Sequence, residues 1–229
     1  QPKWILIKST VGNDNWRLYD TTRGINAGFL EPNNTDGENT QDAPNFLILS
    51  NGFEITAGGT TVGNNVNGSL YTYYAFASDP SAAPTLPDSF ANKLYTGNGS
   101  SQSITGLGFS PSLSWIKSRN NTSGSTFSYS LFDAVRSTGF RVQSNSSLAQ
   151  NDYSAYMTGF TVDGFNLSGA PLNDSTGKYV SWNWKANPVP TINTDGTIQS
   201  IVSANQAAGF SVVGWTGDGS ASATVGHGL

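Results

Sequence analysis

The stretch KYVSWNWKA, from Lys178 to Ala186, decides the fold class. Val180, Trp182 and Trp184 occupy alternate positions, and mostly polar residues lie between them. Because successive side chains of a β-strand point to opposite faces, this period of two predicts a strand with one apolar face. The intervening polar residues predict that its other face is exposed to water.

Similar short segments follow one another along the whole chain. They are rich in β-branched and aromatic residues and are bounded by Gly, Asn, Asp, Pro or Ser, as in PKWILIKS, NFLILS, LYTYYAFAS, SLSWIKS and GFSVVGWTG. No segment has a convincing helical period, although SANQAAGF predicts one short helical turn. Many short strands predict an all-β protein built from two tandem β-sandwich units, of a jelly-roll, lectin-like or immunoglobulin-like type.

Several segments recur in the same order. PKWILIK resembles PSLSWIK, with Lys8 and Lys117 separated by 109 residues. Further along the chain, LYDTTR resembles LFDAVR, NGF resembles DGF, and YTYYAFA resembles YVSWNWKA, all at nearly the same offset. A third, partial copy follows, in which WTGDGSASATVGHGL resembles the earlier YTGNGSSQSITGLG. The pattern predicts an internal duplication.

The repeat predicts how the chain divides. Residues 89–190 are expected to form one complete sandwich unit. Residues 1–88 are expected to be the C-terminal part of a split unit, and residues 191–229 the first strands of the next one. Together the two outer pieces make about one further unit.

Three arrangements would satisfy this split. The C-terminal strands of one protomer could be completed by residues 1–88 of the next, head to tail, which would produce a fibre by strand addition. The two ends could instead meet within one chain, or the chain could be part of a longer tandem array. For the first arrangement, the predicted assembly interface consists of Gln1, Pro2, Trp4, Ile5, Leu6, Ile7, Val225, Gly226, His227, Gly228 and Leu229.

Composition narrows the possible partners. Charged residues make up 11%, the net charge is −4 and the pI is 4.7, which argues against binding to nucleic acid. No apolar run is long enough to span a membrane. The absence of cysteine excludes disulfides and thiolate metal sites. A neutral polar surface with many aromatics is typical of extracellular β-proteins, so we expect an extracellular or virion-surface location.

Catalytic signatures are weak. His227 is the single histidine, and Asp218, Ser220 and Ser222 lie near it in sequence, but no G-x-S-x-G motif is present. The three glutamates, Glu31, Glu38 and Glu54, suggest no carboxylate pair for glycoside hydrolysis. We therefore predict that the protein is not an enzyme and uses no cofactor or metal. The two NTDG segments, at Asn34 and Asn193, are interpreted as turns rather than calcium sites.

Other polar and aromatic positions have two interpretations each. The D-x-x-R pairs Asp20/Arg23 and Asp133/Arg136 are expected to be structural ion pairs that fix turns. Most aromatics are expected to lie in the core, and those on an exposed face could stack on sugar rings: Tyr71, Tyr73 and Tyr179. Asn-x-Ser/Thr sequons, possible sites of N-glycosylation, occur at Asn33, Asn67, Asn98, Asn120, Asn121, Asn145, Asn166 and Asn173.

These segments resemble a repeat found in phage tail-fibre-like and other virion-associated proteins. The resemblance rests on GFSPSLSWIKSR, YSLFDAVRS, TVDGFNLSG, KYVSWNWKA and the segment from Thr194 to Leu229, and covers most of the chain. It implies a lectin-like β-sandwich in a fibre or appendage, and it carries over no catalytic residues. The expected function is that of a non-enzymatic, self-assembling structural subunit. The alternative is a carbohydrate-binding module that recognises cell-surface glycans.

Overall fold

A computed structural model describes residues 1–11, 13–24, 28–40, 46–55, 64–77, 89–120 and 128–229. The described residues form antiparallel strands and one short 3-10 turn, Gln206–Ala208, within the segment predicted to make a helical turn. The prediction of an all-β protein is therefore confirmed. The strands are β1 (Pro2–Ser9), β2 (Arg17–Asp20), β3 (Phe46–Leu49), β4 (Gly52–Ile55), β5 (Tyr71–Ala77), β6 (Phe90–Thr96), β7 (Ser101–Thr105), β8 (Leu113–Ser118), β9 (Ser130–Asp133), β10 (Phe140–Arg141), β11 (Asn151–Asp152), β12 (Met157–Thr161), β13 (Gly164–Ser168), β14 (Lys178–Trp184), β15 (Thr191–Asn193), β16 (Ser200–Asn205) and β17 (Phe210–Trp215).

Four of the sheets stack into layers. The sheet β6-β14-β8-β9 packs on β12-β13-β7 and encloses one apolar cluster, which includes Ile116, Phe165 and Tyr179. The sheet β2-β1-β5 packs on the hairpin β3-β4 around a second cluster that contains Ile5 and Phe46. The two sandwiches then face each other across a third cluster, centred on the two larger sheets. Each large sheet thus has apolar neighbours on both faces.

Strand pairing repeats residue for residue between the two sandwiches. The β1–β5 pairs run without a break from Trp4↔Phe76 to Ser9↔Tyr71, and the β8–β14 pairs run from Leu113↔Trp184 to Ser118↔Tyr179 in the same register. The β1–β2 and β8–β9 ladders also correspond, pair by pair. The hairpins β3–β4 and β12–β13 correspond apart from one irregularity in β12. These ladders are the structural counterpart of the sequence repeat.

The prediction that one face of the KYVSWNWKA strand, β14, is exposed to water is wrong. Tyr179, Ser181 and Asn183 are as deeply buried as Trp182 and Trp184 on the opposite face. The strand lies inside its sheet, between β6 and β8, and a second sheet covers each of its faces. The polar side chains form hydrogen bonds with one another: Asn183 Oδ1 accepts from Ser114 Oγ, and Asn183 Nδ2 donates to Ser181 Oγ.

The C-terminal segment forms a small sheet of its own, β15-β16-β17. It docks on the middle sandwich through backbone and side-chain hydrogen bonds, such as Asn187 N–H to Ala204 C=O and Asn205 Nδ2 to Lys185 C=O. The contact is close, because a Cβ added to Gly214 would lie 2.8 Å from Cγ1 of Val135. The domain boundaries predicted near residues 88 and 190 fall between β5 and β6 and between β14 and β15 and remain predictions.

The interface between the two sandwiches contains a fully buried ion pair. Asp20 Oδ2 accepts from Arg23 Nε at 2.6 Å and from Trp182 Nε1 at 3.2 Å, which links the two sandwiches. The same D-x-x-R motif in the second copy forms the Asp133–Arg136 pair, in which the arginine side chain is one quarter exposed. Both aspartates also accept backbone N–H groups of the following turn. The predicted structural ion pairs are therefore confirmed in both copies.

We expect Asp20→Ala to destabilise the protein much more than Asp133→Ala. Removing Asp20 leaves Arg23 buried with one fewer counter-charge, and breaking a buried pair in this way costs about 3–5 kcal/mol. The Asp133 substitution removes similar turn hydrogen bonds, but Arg136 can reach water, so we expect a loss of about 1 kcal/mol. The free energies of unfolding, measured by urea titration, test the difference, and equal losses in the two variants would contradict it.

Candidate assembly surface

One sheet of the first sandwich ends in an aromatic strand. In the described part of the chain, β5 pairs with β1 on one side and with no strand on the other. Its counterpart in the second sandwich, β14, has β6 on that side. Tyr73 is 58% exposed and Tyr74 is 56% exposed, although both lie within a regular strand. An unprotected, flat apolar edge is a site at which further strands add.

The backbone groups of alternate β5 residues face this open edge. Thr10 N–H donates to Leu70 C=O at 2.8 Å, which extends the β1–β5 ladder by one pair. In an antiparallel sheet, the N–H and C=O of one residue point to the same side, and the side alternates along the strand. The even-numbered residues of β5 therefore face β1. The N–H and C=O groups of Tyr71, Tyr73 and Ala75 face outward.

The core of the first sandwich lacks positions that the second core contains. In the second sandwich, Tyr95 of β6, Ile104 of β7 and Leu107 close one side of the apolar cluster. The corresponding cluster of the first sandwich contains residues from β1 to β5 and the nearby Phe29, but no equivalents of these three side chains among the described residues. Within the described ranges, the hairpin β3–β4 pairs with no third strand, whereas its counterpart β12–β13 pairs with β7. The open edges of β5 and β4 therefore correspond to the edges that β6 and β7 cover in the second sandwich.

The predicted N-terminal interface residues lie mostly inside the fold. Trp4, Ile5 and Ile7 are buried, and β1 is the central strand of its sheet, with β2 and β5 on its two sides. Both ladders of β1 are filled, so its backbone cannot pair with another strand. Gln1 is exposed, and Pro2 and Leu6 are half-buried. The sequence repeat predicts that the first copy is incomplete, but nothing in the sequence indicates that β5 is the strand with the open edge.

The predicted C-terminal interface residues dock on their own sheet. Val225 forms a parallel bridge with Ile198, and Ser200 Oγ donates to the C=O of the buried Gly226. His227 is exposed, and its Nδ1 accepts from Leu229 N–H. Gly228 is half-buried, and Leu229 is 47% exposed. Their role in assembly stays a prediction.

The predicted glycan-stacking residues fall into three different environments. Tyr179 is 1% exposed, and its ring stacks on Tyr95 with a centroid distance of 4.9 Å, so it cannot stack on a sugar. Tyr71 is half-buried, and its hydroxyl accepts from Val66 N–H. Tyr73 is accessible, and its ring and that of Phe53 form a T-shaped pair with a centroid distance of 5.2 Å. Of the three, Tyr73 keeps an exposed aromatic surface.

The sequons differ in accessibility. Asn173 is fully buried and bonds through its side chain to Asn98 and Ser100, so a glycan there is incompatible with the fold. Asn121 lies outside the described residues. The remaining sequon asparagines are exposed or half-buried, and their modification stays a prediction: Asn33, Asn67, Asn98, Asn120, Asn145 and Asn166.

The residues considered for catalysis or metal binding have local structural partners. Glu38 bonds to Arg23 and Arg119, and Glu31 accepts from Asn15 Nδ2. Asn193 Oδ1 accepts from the N–H two residues on, and the other NTDG segment does the same, so both are turns as predicted. The described residues contain no group of His, Cys, Asp or Glu arranged to hold a metal ion. Their single helical element is also too short to cross a bilayer.

A buried lysine lies at the interface between the sandwiches. Lys117 is inaccessible to water, and its ammonium group lies 5.1 Å from the centre of the Tyr129 ring and donates to Thr35 C=O. Burial lowers the pKa of Lys117 to about 8, and the nearby carboxylate of Asp36 offsets part of this effect. The sequence repeat marked this position through Lys8, but no sequence signal showed that Lys117 would be buried.

We expect the protein to gain stability relative to Lys117→Met as the pH rises from about 8 toward 10. In this window the unfolded lysine keeps its proton while the folded one releases it, so the unfolded state binds more protons and the free energy of unfolding rises. The rise in the free energy of unfolding should be at most about 1.4 kcal/mol per pH unit, the limit for release of one proton. Urea titrations across this range measure it. Lys178→Met removes an exposed lysine and serves as the control, and an identical pH dependence in the wild type and Lys117→Met would contradict the prediction.

The chain matches one known protein family. Residues 1–80 and 86–229 match a family described as a domain of unknown function, DUF7483. No curated protein and no solved structure shows significant similarity to the chain. The family match covers nearly every residue of both sandwiches and of the C-terminal sheet. The chain belongs to the DUF7483 family.

Proposed function

We propose that this protein is a non-enzymatic structural subunit that assembles with copies of itself, head to tail, into a fibre or filament. One observation carries the proposal: in the described structure, β5 has an unpaired edge, whereas its counterpart in the second sandwich, β14, is paired on both sides. The assembly would lie outside the cell or on a virion surface. That location rests on the resemblance to tail-fibre-like repeats and on the neutral polar composition.

Geometry favours a linear assembly over a closed dimer. The open edge belongs to the first sandwich, whereas the third copy of the repeat lies at the far end of the chain, in β15–β17. A contact between two different surfaces is heterologous, and it propagates unless a rotation closes it into a ring. The small number of charged residues, 11% of the chain, also keeps long-range repulsion between subunits low.

Negative-stain electron microscopy and sedimentation velocity test this proposal directly. We expect unbranched particles whose mean length increases with protein concentration, because each added subunit presents a new open edge. Sedimentation as a single monomer species at every concentration would contradict the proposal. A single closed dimer would contradict its head-to-tail form.

A second candidate function is carbohydrate binding, and a polar cleft favours it. A cleft of about 180 Å³ lies beside β8 and β9 and is lined by several hydroxyl side chains and the amide of Gln143. Arg141 borders the cleft, and its guanidinium group lies over the ring of Tyr153 at 3.7 Å. Hydroxyl, amide and guanidinium groups are suitable hydrogen-bond partners for the hydroxyls of a sugar.

We expect a glycan array to separate the two functions. If the cleft binds a sugar, the wild-type protein should give saturable signals, and Arg141→Ala should weaken them at least tenfold because it removes the charged donor that borders the cleft. Arg136→Ala removes an arginine outside the cleft and serves as the control. An array without saturable binding would contradict the carbohydrate function and leave the structural one standing.

A further inference from the structure

We propose that the open edge of β5 is filled by β17 of a second copy of this chain, antiparallel and in one defined register. This inference rests on the proposed function and names the strands that make the contact. The acceptor is Tyr71–Phe76, and the donor is Phe210–Trp215. The middle sandwich supplies the template, because β14 and β6 already form the equivalent pair within one chain.

The sequence repeat identifies β17 as the counterpart of β6. The donor strand reads FSVVGWTGDG from Phe210, and β6 with its following turn reads FANKLYTGNG from Phe90. Both begin with Phe, carry an aromatic five residues later, and continue into the same Thr-Gly-Asx-Gly turn. The last glycine has a left-handed conformation in both copies, with φ of 73° at Gly99 and 75° at Gly219. The two segments therefore share local backbone structure as well as sequence.

The hydrogen-bonding side of β17 agrees with this assignment. Asn187 N–H donates to Ala204 C=O, so the even-numbered residues of β16 face away from β17 and the odd-numbered ones face it. The ladder then joins Ile201 to Gly214 and Ser203 to Val212. The even-numbered residues of β17 are thus used within its own sheet. The odd-numbered residues, at 211, 213 and 215, have their N–H and C=O groups on the free edge.

In the template, the odd-numbered residues of β6 make the contact. Lys185 N–H donates to Ser89 C=O at 2.8 Å, and Gly97 N–H donates to Gly177 C=O at 2.8 Å, at the two ends of the β6–β14 ladder. The offset from β6 to β17, Phe90 to Phe210, is even, so the same side of the donor is free. The acceptor also presents its odd-numbered residues. Both the donor and the acceptor therefore have the backbone groups of their odd-numbered residues on the unpaired edge, as the template requires.

The template fixes the register of the intermolecular ladder. Tyr179↔Tyr95 and Trp184↔Phe90 are paired in the middle sandwich. Transferring these pairs to the repeat gives Tyr71↔Trp215 at one end of the ladder and Phe76↔Phe210 at the other. The hydrogen-bonded pairs, in order, are Tyr71↔Trp215, Tyr73↔Val213 and Ala75↔Ser211.

The side chains complete the core of the first sandwich. Trp215 is 59% exposed, an unusual state for the largest apolar side chain. In the proposed register it takes the place that Tyr95 has in the second core, where Tyr95 stacks on Tyr179 and contacts Phe165. Its partners would be Tyr71 and Phe53. Burying Trp215 against these rings would supply one of the three side chains that the first core lacks.

Neither strand carries a feature that protects an edge. Natural edge strands usually avoid further pairing through charged side chains, proline or bulges. The acceptor sequence YTYYAFA and the donor sequence FSVVGW contain no charged residue and no proline. Both ladders that hold these strands in place, β1–β5 from Trp4 onward and β16–β17, are regular. Among the residues that the structure describes, no strand has to move for either edge to accept a further strand.

Disulfide crosslinking tests the register, because the chain has no cysteine of its own. Tyr74 and Val212 would form a pair without mutual backbone hydrogen bonds, with Cα atoms about 4.5 Å apart, and this spacing suits a disulfide. The double variant Tyr74→Cys/Val212→Cys, oxidised at concentrations that support assembly, should give a ladder of covalent oligomers on a non-reducing gel. Tyr74→Cys/Val213→Cys is the control, since a slip of one residue points the two thiols to opposite faces.

The outcomes distinguish this inference from the proposed function. Filaments in electron microscopy without intermolecular crosslinks would overturn the strand assignment and leave the structural function intact. A crosslink confined to single chains would overturn the choice of a second copy as the partner. The absence of both filaments and crosslinks would overturn both proposals.

A proline variant provides an independent test. Tyr73→Pro removes an outward-facing N–H that β1 does not use, and edge strands tolerate proline, so the fold should persist. We expect this variant to require at least a tenfold higher protein concentration for assembly than the wild type. Tyr73→Thr removes the same ring but keeps the N–H, and it should assemble more readily than the proline variant. Equal assembly of the two variants would overturn the proposed backbone pairing.

Discussion

The packing of two large sheets against each other, around Trp182, is the interaction on which the rest of the structure depends. Its indole ring contacts Trp115 and Tyr129, and its Nε1 donates to Asp20 in the opposite sandwich. Because β14 is covered on both faces, its polar residues must find partners inside the protein. The same burial makes Arg23 and Lys117 costly charges that require nearby acceptors or counter-charges. The two sandwiches are therefore joined by polar contacts set in an apolar interface.

The repeat places similar sequences in different surroundings. Asp20 and Asp133 occupy equivalent positions at the ends of β2 and β9, yet one ion pair is sealed at the interface and the other reaches solvent. Tyr71 and Tyr179 are also equivalent, but among the described residues only Tyr179 has an aromatic partner from a neighbouring strand, Tyr95. The difference lies in which neighbours each copy has within the chain. Equivalent sequence therefore does not imply equivalent burial or equivalent function.

Local signals made the fold class, the duplication, the turns and the ion pairs predictable. These features depend on residues that are close in sequence, as in apolar alternation, Asx turns and D-x-x-R pairs. They can therefore be read from a single sequence. Burial on the second face of β14 was not predictable, because it depends on β7, β12 and β13, which lie elsewhere in the sequence and cover that face. The open edge was predicted as a missing segment but assigned to residues near Trp4 instead of β5. Strand order within a sheet leaves little trace in the sequence of any single strand.

The position of β5 early in the chain has a consequence for biosynthesis. On the proposed pairing, the acceptor strand is complete at Ala77, whereas the donor begins at Phe210. At about 5–20 residues per second, a ribosome exposes the acceptor on the order of ten seconds before the donor of the same molecule exists. Nascent chains can thus receive a strand before they can offer one. On this pairing, the order of synthesis within each subunit would run from acceptor to donor, the same order in which the head-to-tail contact reads along the chain.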